Sequence, residues 1–260
     1  MKTSLEGKSV VITGGASGIG AKTCEMAAAA GAMVTIADLD KQKGDALAQA
    51  IKQSGGRAQF VRTDISDEVQ VKAMVAAAVS SFGRIDAAFN NAGLSGYSHQ
   101  GKNTQVPFAE IPVKGFQRVI DVNLLGTFLC MKYEILEMLK TGGGSIVNTS
   151  SCAGILAIGG APDYVAAKHG VIGLTKAGAL DYATQNIRVN AILPGIIQTP
   201  MMEVSFAANP QMKQWAAEAQ PNKRLGKPEE IAAAALWLMS DAASLVTGIS
   251  MPVDGGYSMV

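Results

Sequence analysis

Short apolar runs alternate with longer alanine-rich runs along almost the whole chain. Several short runs are continuously apolar, as in strands that are buried on both faces of a parallel sheet. The pattern predicts strands at residues 9–13, 33–37, 58–62, 86–90, 145–149, 188–193 and 249–253, and helices at residues 19–30, 41–53, 68–82, 116–139, 164–184 and 228–239. Alternation at this spacing indicates right-handed crossovers and an α/β fold, a doubly wound parallel sheet with helices on both faces.

Two segments, residues 94–113 and 196–224, interrupt this alternation. The first is polar and rich in glycine, and the second carries methionine, phenylalanine and tryptophan side chains. Long irregular connections in compact domains are often binding loops or lids. The second segment is therefore either a lid over an apolar substrate or a small helix pair packed on the core. No linker divides the chain, and we expect residues 1–260 to form one domain.

Composition excludes several classes of protein. Hydrophobic residues make up 48% of the 260 residues, and 22 basic against 21 acidic residues leave a net charge of +1. This balance provides no basic surface for nucleic acid, and no stretch approaches the ~20 apolar residues of a membrane span. Three scattered cysteines lack metal or redox spacing and are typical of a reducing cytoplasm. We expect a cytoplasmic protein without a nucleic-acid partner, a membrane partner or a metal.

A glycine-rich turn joins the first predicted strand to the first predicted helix. Its sequence, Thr13-Gly-Gly-Ala-Ser-Gly-Ile-Gly20, lets the backbone approach a pyrophosphate, and the helix N-terminus offers free N–H groups. Asp38 ends the second strand, where a carboxylate accepts bonds from ribose hydroxyls and repels a 2′-phosphate. The sequence therefore predicts NAD rather than NADP. The alternative for Asp38 is a helix N-cap or a turn residue.

Polar residues also follow the third and fourth strands. Asp64 is placed to accept a hydrogen bond from an adenine amino group, and residues 91–93 form an Asn-Ala-Gly turn. Ligands of open α/β sheets bind at these carboxyl ends of strands. We expect both features to touch a cofactor, although Asn-Gly stretches also occur in ordinary turns.

Tyr164 and Lys168 stand four residues apart, on one face of a predicted helix. A free tyrosine has a pKa near ~10, and a neighbouring ammonium group would lower that pKa into the range of general acid–base catalysis. A serine at the end of the fifth strand, Ser150 or Ser151, can hold a substrate oxygen. Asn123 lies in an apolar helix, where it either bridges to Lys168 through water or bonds to local backbone.

These motifs together resemble the classical short-chain dehydrogenase/reductase family, from the first strand to the last. The resemblance implies a Rossmann-type fold and a serine thirteen residues before the tyrosine, which selects Ser151. The matching residues are Thr13 to Gly20, Asp38, Asp64, Asn90 to Gly93, Asn123, Ser151, Tyr164, Lys168, Pro194, Gly195, Thr199 and residues 253–256.

The same resemblance implies a role for each residue. Tyr164 would be the general acid/base, and Lys168 would bind the nicotinamide ribose and lower the tyrosine pKa. Ser151 would polarise the substrate oxygen, and Asn123 would hold a water in a proton relay. Residues 196–224 would form the substrate lid, and a homotetramer would pair through helices starting near Phe116 and Tyr164. The implied cofactor contacts are Gly14, Ser17, Gly18, Ile19, Gly20, Asp38, Asp64, Ile65, Asn91, Ala92, Gly93, Tyr164, Lys168, Pro194, Gly195, Ile197 and Thr199.

The resulting hypothesis is an NAD-dependent alcohol dehydrogenase or ketone reductase. Its alternatives are a 3-oxoacyl carrier-protein reductase and a non-catalytic dinucleotide-binding regulator. The apolar lid favours a cyclic or aryl secondary alcohol as substrate. Ser95, Tyr97, Ser98 and Gln100 in the earlier loop favour a sugar or polyol instead.

Overall fold

A seven-stranded parallel sheet organises the computed structural model, which describes residues 4–96 and 106–259. Every strand end lies within one residue of its predicted position, because continuous apolar runs mark buried strands clearly. The strands, which are arranged in the order β3-β2-β1-β4-β5-β6-β7, are β1 Ser9–Thr13, β2 Met33–Asp38, β3 Arg57–Arg62, β4 Ala87–Asn90, β5 Gly144–Thr149, β6 Ile187–Pro194 and β7 Ser250–Val253.

Nine α-helices connect the strands in the part of the chain that the structure describes. The predicted bounds of α2, α3 and α9 are those observed. The helices are α1 Gly18–Ala29, α2 Lys41–Gln53, α3 Glu68–Phe82, α4 Val113–Ile120, α5 Gly126–Lys140, α6 Pro162–Tyr182, α7 Pro200–Ala208, α8 Pro210–Ala219 and α9 Pro228–Met239.

Helices cover both faces of the sheet. Val10 and Ile12 of β1 pack in one core layer with residues of α1, α2 and α9. Val11 between them packs in the opposite layer, with residues of α3, α5 and α6. This two-sided burial explains the unbroken apolar strands and confirms the predicted doubly wound fold.

One predicted helix contains an irregularity. The helix predicted at residues 116–139 begins earlier, at Val113, and Asp121–Leu125 between α4 and α5 form a π-helical turn. The sequence pattern predicts one continuous helix here and does not reveal this turn. Such turns are frequent at functional sites.

Residues 196–224 contain the helix pair α7 and α8 rather than an irregular loop. Phe206 is 4% exposed and Ala216 is fully buried, so the pair packs an apolar face inward. Met201 and Trp215 are half exposed. Residues 196–224 therefore form the helix pair of the second interpretation. Met201 and Trp215 also leave apolar surface exposed on this pair, as the lid interpretation requires.

The strand order places a topological switch at the centre of the sheet. Successive strands run outward from β1 to β3, and the chain then returns to place β4 on the other side of β1. In register, Thr13 of β1 pairs with Ala37 on one side and Asn90 on the other. Ligands of such sheets bind in the crevice beyond these carboxyl ends.

Within residues 4–96 and 106–259, no helix is long and apolar enough to cross a membrane. In the same ranges no three His, Cys, Asp or Glu residues group as metal ligands. The three cysteines, Cys24, Cys130 and Cys152, are buried and unpaired.

Candidate active site

The glycine turn forms a cradle of backbone at the end of β1. Gly14 has a φ of +64°, and a Cβ at Gly20 would lie 2.0 Å from the Gly14 carbonyl oxygen. Helix α1 begins at Gly18, and the side chain of its N-cap residue Ser17 makes no capping bond. The N–H groups of Gly18, Ile19 and Gly20 therefore lack intrahelical acceptors and suit an anion such as a pyrophosphate.

Asp38 stands beside this cradle with its carboxylate held in place. Its Oδ2 accepts from the Ala16 N–H at 3.0 Å, and its Oδ1 accepts from the Asp40 N–H at 3.0 Å. Asp40, not Asp38, is the N-cap of α2 and accepts from the Lys43 N–H. Asp38 is therefore not the N-cap, but its bond to the Asp40 N–H two residues on is the turn contact of the alternative interpretation. Its carboxylate keeps lone pairs for a further donor.

Asp64 and Ile65 follow β3 on the same edge of the sheet. Asp64 Oδ1 accepts from the N–H and the hydroxyl of Ser66, at 3.0 and 2.6 Å. Ile65 is 6% exposed and packs against Gly126. The Asp64 carboxylate thus stabilises its own turn, and Ile65 could meet a cofactor only through its backbone.

The turn after β4 is bonded to the end of β1. The Thr13 hydroxyl accepts from the N–H groups of Asn91 at 3.0 Å and Ala92 at 3.1 Å. The Asn91 side-chain amide donates to the carbonyl oxygens of Thr13 and Gly14. Thr13 therefore fixes two predicted cofactor turns to each other. We had assigned it no role, although a threonine at the end of a central strand was a visible signal.

Lys168 and Tyr164 lie together on α6, as predicted. Lys168 Nζ lies 5.6 Å from the centre of the Tyr164 ring and donates to the Thr149 carbonyl oxygen at 2.8 Å. Lys168 is 4% exposed, and burial lowers the pKa of its ammonium group to about 8.

The pKa of Tyr164 shifts in the direction opposite to our expectation. Burial raises the pKa of the Tyr164 phenol, and a hydrogen bond with Ser151 only partly opposes this effect. The Lys168 ammonium group faces the aromatic ring and bonds to Thr149, so burial of the phenol dominates. The phenol therefore keeps its proton at neutral pH.

The two candidate serines have different surroundings. The Ser150 hydroxyl is 1% exposed and donates to the Lys168 carbonyl oxygen at 2.8 Å, which makes it part of the packing between β5 and α6. The Ser151 oxygen accepts from the Ala153 N–H at 3.1 Å and also bonds with Tyr164. The contact with Tyr164 favours Ser151, the serine that the family resemblance selected.

Asn123 lies in the π-helical turn, and its side chain forms two hydrogen bonds with one residue that is distant in the chain. Its Oδ1 accepts from the Leu94 N–H at 2.7 Å, and its Nδ2 donates to the Leu94 carbonyl oxygen at 2.9 Å. A Cβ at Gly93 would lie 3.0 Å from Asn123 Oδ1 and 3.6 Å from Lys168 Nζ. The local-backbone alternative is therefore wrong, because the partner is 29 positions away in the chain.

The loop after β6 closes the cleft opposite the glycine turn. Pro194 ends β6, and Gly195 fits tightly against Gln220 and Asp254. Thr199 lies close to Gly18, since a Cβ at Gly18 would be 3.6 Å from its side chain. Ile197 is 5% exposed, so its backbone is the part available to a ligand.

A buried polar chain that we had not predicted lies beneath these strand ends. Asn90 Nδ2 donates to Glu134 Oε2 at 2.9 Å and to Asn148 Oδ1 at 3.1 Å, and Asn148 Nδ2 donates to the Thr175 hydroxyl at 3.0 Å. Burial raises the pKa of Glu134 to about 7. Glu134 Oε1 and Asn90 Oδ1 have no hydrogen-bond partner within residues 4–96 and 106–259. A charged residue inside an apolar helix was the only signal in the sequence.

Apolar surface lies next to the predicted catalytic residues in the chain. Ile155 and Ile158, which lie between Ser151 and Tyr164 in the chain, are 45% and 37% exposed. Of the four polar residues that favoured a sugar substrate, Ser95 is described and half-buried, and Tyr97, Ser98 and Gln100 lie outside the described residues. The described part of the site therefore presents mainly apolar surface beside its few polar groups.

Comparison with known proteins gives matches over the full length of the fold. A family model described as Enoyl-(Acyl carrier protein) reductase matches residues 14–258. The chain is 43% identical over 259 residues to a 2,5-dichloro-2,5-cyclohexadiene-1,4-diol dehydrogenase of Sphingobium indicum, covering 99% of this chain and 100% of that protein. It is 41% identical over 258 residues to a cyclohexanol dehydrogenase of an Acinetobacter species, covering 99% and 98%. A crystal structure of levodione reductase superposes with a TM-score of 0.91 at 39% identity, covering 98% of this chain and 99% of that chain.

Proposed function

The chain belongs to the short-chain dehydrogenase/reductase family, and we propose that it interconverts a secondary alcohol and a ketone by hydride transfer with NAD(H), using Tyr164 as general acid/base. The observation that carries this proposal is the meeting of Tyr164, Lys168 and Ser151 at the edge of the sheet that also holds the glycine cradle and Asp38. Proton transfer and dinucleotide binding can therefore occur in one cleft.

The residues divide the work of the proposed reaction. The Tyr164 phenol donates its proton to the substrate oxygen during reduction, and the phenolate accepts it back during oxidation. Ser151 donates a hydrogen bond to the same oxygen, and Lys168 holds the nicotinamide ribose. The bound dinucleotide supplies or accepts the hydride. A water relay at Asn123 belongs to the proposal and would have to coexist with the two bonds to Leu94.

The fit of a dinucleotide rests on the backbone cradle and on Asp38. A side chain at Gly20 would fill the cradle, which accounts for glycine at this position. The first lysines after Asp38, Lys41 and Lys43, are paired with Asp45 and Asp40. Because both lysines are already in ion pairs, the Asp38 carboxylate determines the local charge. A carboxylate accepts hydrogen bonds from the two ribose hydroxyls of NAD and repels the 2′-phosphate of NADP, which supports NAD.

The first experiment follows NADH and NADPH oxidation against a panel of cyclic, aryl, sugar and acetoacetyl-thioester carbonyl compounds. We expect NADH to support turnover in the wild type and Tyr164→Phe to reduce it by at least ~100-fold. Tyr182→Phe is the matched control, because Tyr182 ends the same helix. Turnover that survives in Tyr164→Phe would refute the assigned acid/base.

The panel also separates the alternative functions. Turnover of the acetoacetyl thioester with NADPH would favour a 3-oxoacyl carrier-protein reductase. Tight NADH binding without turnover of any compound would favour a non-catalytic regulator. We propose cyclic secondary alcohols and ketones as the substrate class, on the apolar surface of Ile155, Ile158 and Met201 and on the names of the similar dehydrogenases.

A second experiment tests the cofactor preference at Asp38. In the sheet register Arg62 of β3 pairs with Asp38, and Arg62 is exposed. Asp38→Ala would remove the carboxylate and leave this guanidinium group beside the ribose position. We expect the NAD/NADP ratio of kcat/KM to fall by at least ~10-fold, while Asp181→Ala, at an exposed position of α6, leaves it unchanged. An unchanged ratio in Asp38→Ala would refute the assignment.

We also propose a homotetramer in the cytoplasm. Helix α5 and the turn before it expose Leu125, Phe128, Leu136 and Leu139, each by at least 40%, and Phe116 of α4 is 37% exposed. Apolar side chains clustered on one helix favour association with another copy. Light scattering after size-exclusion chromatography should give four times the 26.9 kDa chain mass. A monomer at micromolar concentration would refute this part. The unpaired cysteines support a reducing compartment.

A further inference from the structure

Gln220 binds the backbone at both ends of the helix pair. It immediately follows α8 and is 1% exposed. Its side-chain oxygen accepts from the Ile196 N–H at 3.2 Å, and its side-chain nitrogen donates to the carbonyl oxygens of Ile196 at 3.3 Å and Arg224 at 2.5 Å. One buried amide therefore joins the segment that enters α7 to the segment that leaves α8.

These bonds lie next to the loop that closes the cofactor cleft. Ile196 follows Pro194 and Gly195, and a Cβ at Gly195 would lie 2.6 Å from Gln220 Oε1. The Gln220 side chain thus contacts the backbone next to Pro194 and Gly195, which are proposed to touch the nicotinamide. No proposed cofactor or substrate contact includes Gln220 itself.

Two backbone hydrogen bonds also hold the segment that enters α7. The Gln198 N–H donates to the Gly226 carbonyl oxygen at 2.8 Å, and the Gly226 N–H donates to the Ile196 carbonyl oxygen at 3.0 Å. The Ile196 N–H, by contrast, has the Gln220 side chain as its acceptor. Loss of a buried acceptor leaves a donor unsatisfied, and the loop must shift to find another.

We propose that Gln220 is a positioning residue that fixes residues 194–198, so that α7 and α8 can move as a lid without displacing the nicotinamide side of the cleft. This inference rests on the proposed cofactor role of that loop. Because Gln220 joins the residues that enter α7 to those that leave α8, the two helices can open by backbone changes in these connecting residues. Residues 194–198 and their proposed cofactor contacts would then stay in place.

Two substitutions at Gln220 separate positioning from packing. Gln220→Met keeps the shape and removes all three hydrogen bonds. Gln220→Glu keeps the acceptor for the Ile196 N–H, but as a carboxylate it cannot donate to either carbonyl oxygen, whereas the protonated acid can donate to one of them. Gln214→Met is the matched control, because Gln214 is exposed on α8 and bonds only to Glu218 among the described residues.

The measurements are NADH affinity by fluorescence titration, and hydrogen exchange of residues 194–198 without cofactor. We expect Gln220→Met to weaken NADH binding about tenfold and to accelerate exchange in this loop, since one buried hydrogen-bond network has this magnitude. Gln220→Glu should be as weak near pH 8 and recover affinity relative to the wild type towards about pH 5.5. Gln214→Met should match the wild type in both measurements.

Unchanged NADH affinity and unchanged exchange in Gln220→Met would overturn the proposal, whatever the melting temperature does. The same holds if Gln220→Glu shows no recovery at low pH, and this variant serves as the test if Gln220→Met fails to fold. Failure of the proposed cofactor role gives a different result. Wild-type protein would then not bind NADH, while the exchange measurement would still report whether Gln220 orders the loop.

Discussion

Replacing Glu134 with glutamine tests whether a buried carboxyl group beneath the active site is neutral in the folded protein. Glu134 is fully buried in α5, and among the described residues its side chain accepts a hydrogen bond from the Asn90 amide alone. Burial raises its pKa from 4.5 to about 7. The folded state therefore binds this proton more tightly than the unfolded chain does.

The sign and size of the effect follow from this difference. The contribution of Glu134 to stability is complete below about pH 4.5 and is lost as the pH rises through 7. A difference of one in pKa corresponds to about 1.4 kcal/mol, so the total loss is on the order of 3 kcal/mol. Glutamine stays neutral at every pH, and its side-chain oxygen can accept from Asn90. Its NH2 group also brings a hydrogen-bond donor to this site, where Glu134 Oε1 and Asn90 Oδ1 have no donor among the described residues.

The assay is urea unfolding of the wild type and Glu134→Gln at several values between about pH 5 and pH 8.5. We expect Glu134→Gln to gain stability relative to the wild type as the pH rises, by roughly 2–3 kcal/mol across this range. Comparing variants cancels the titration of other groups, including Lys168. Glu137→Gln on the same helix is the control, because Glu137 forms a surface pair with Lys140. Parallel stability curves for Glu134→Gln and the wild type would refute a neutral Glu134.

Three further predictions concern the cleft. Gly20→Ala places a Cβ 2.0 Å from the Gly14 carbonyl oxygen, so NADH affinity should fall at least ~10-fold in a titration. Gly173→Ala is the control, because its added Cβ meets no atom within 4 Å. Equal NADH affinities of the two variants would contradict this prediction. Asn123→Ala leaves the Leu94 N–H and carbonyl oxygen without their side-chain partners and should lower the free energy of unfolding by about 2 kcal/mol in urea; a loss below ~0.5 kcal/mol would show that these bonds matter little. Because burial raises the Tyr164 pKa, kcat/KM profiles should show ketone reduction favoured at neutral pH and alcohol oxidation rising at alkaline pH; identical profiles would count against Tyr164 as the proton carrier.

The strands and the cofactor end of the cleft could be predicted because their signals are local. Residues 10–12 are an apolar run followed by closely spaced glycines, and both the strand and the turn depend on near neighbours in the chain. The spacing of Tyr164 and Lys168 placed both on one helix face for the same reason. These features need no knowledge of what packs against them.

Long-range contacts decided the features that the sequence did not reveal. Asn123 binds Leu94, Gln220 binds Ile196, and Glu134 meets Asn90 across the core. Each pair is far apart in sequence, and neither member identifies its partner by residue type. The upward shift of the Tyr164 pKa is of the same kind, since burial arises only when the helices and the sheet have packed.

The sequence by itself therefore determined the doubly wound fold, the family and the residues that meet at the carboxyl ends of the strands. Periodicity and motif spacing are properties of neighbouring residues, and the order of strands and helices constrains the topology. Only the tertiary structure decided which polar groups are buried, which backbone atoms they bond and in which direction their proton affinities move. Those properties depend on desolvation and on partners distant in the chain, and a linear pattern carries neither.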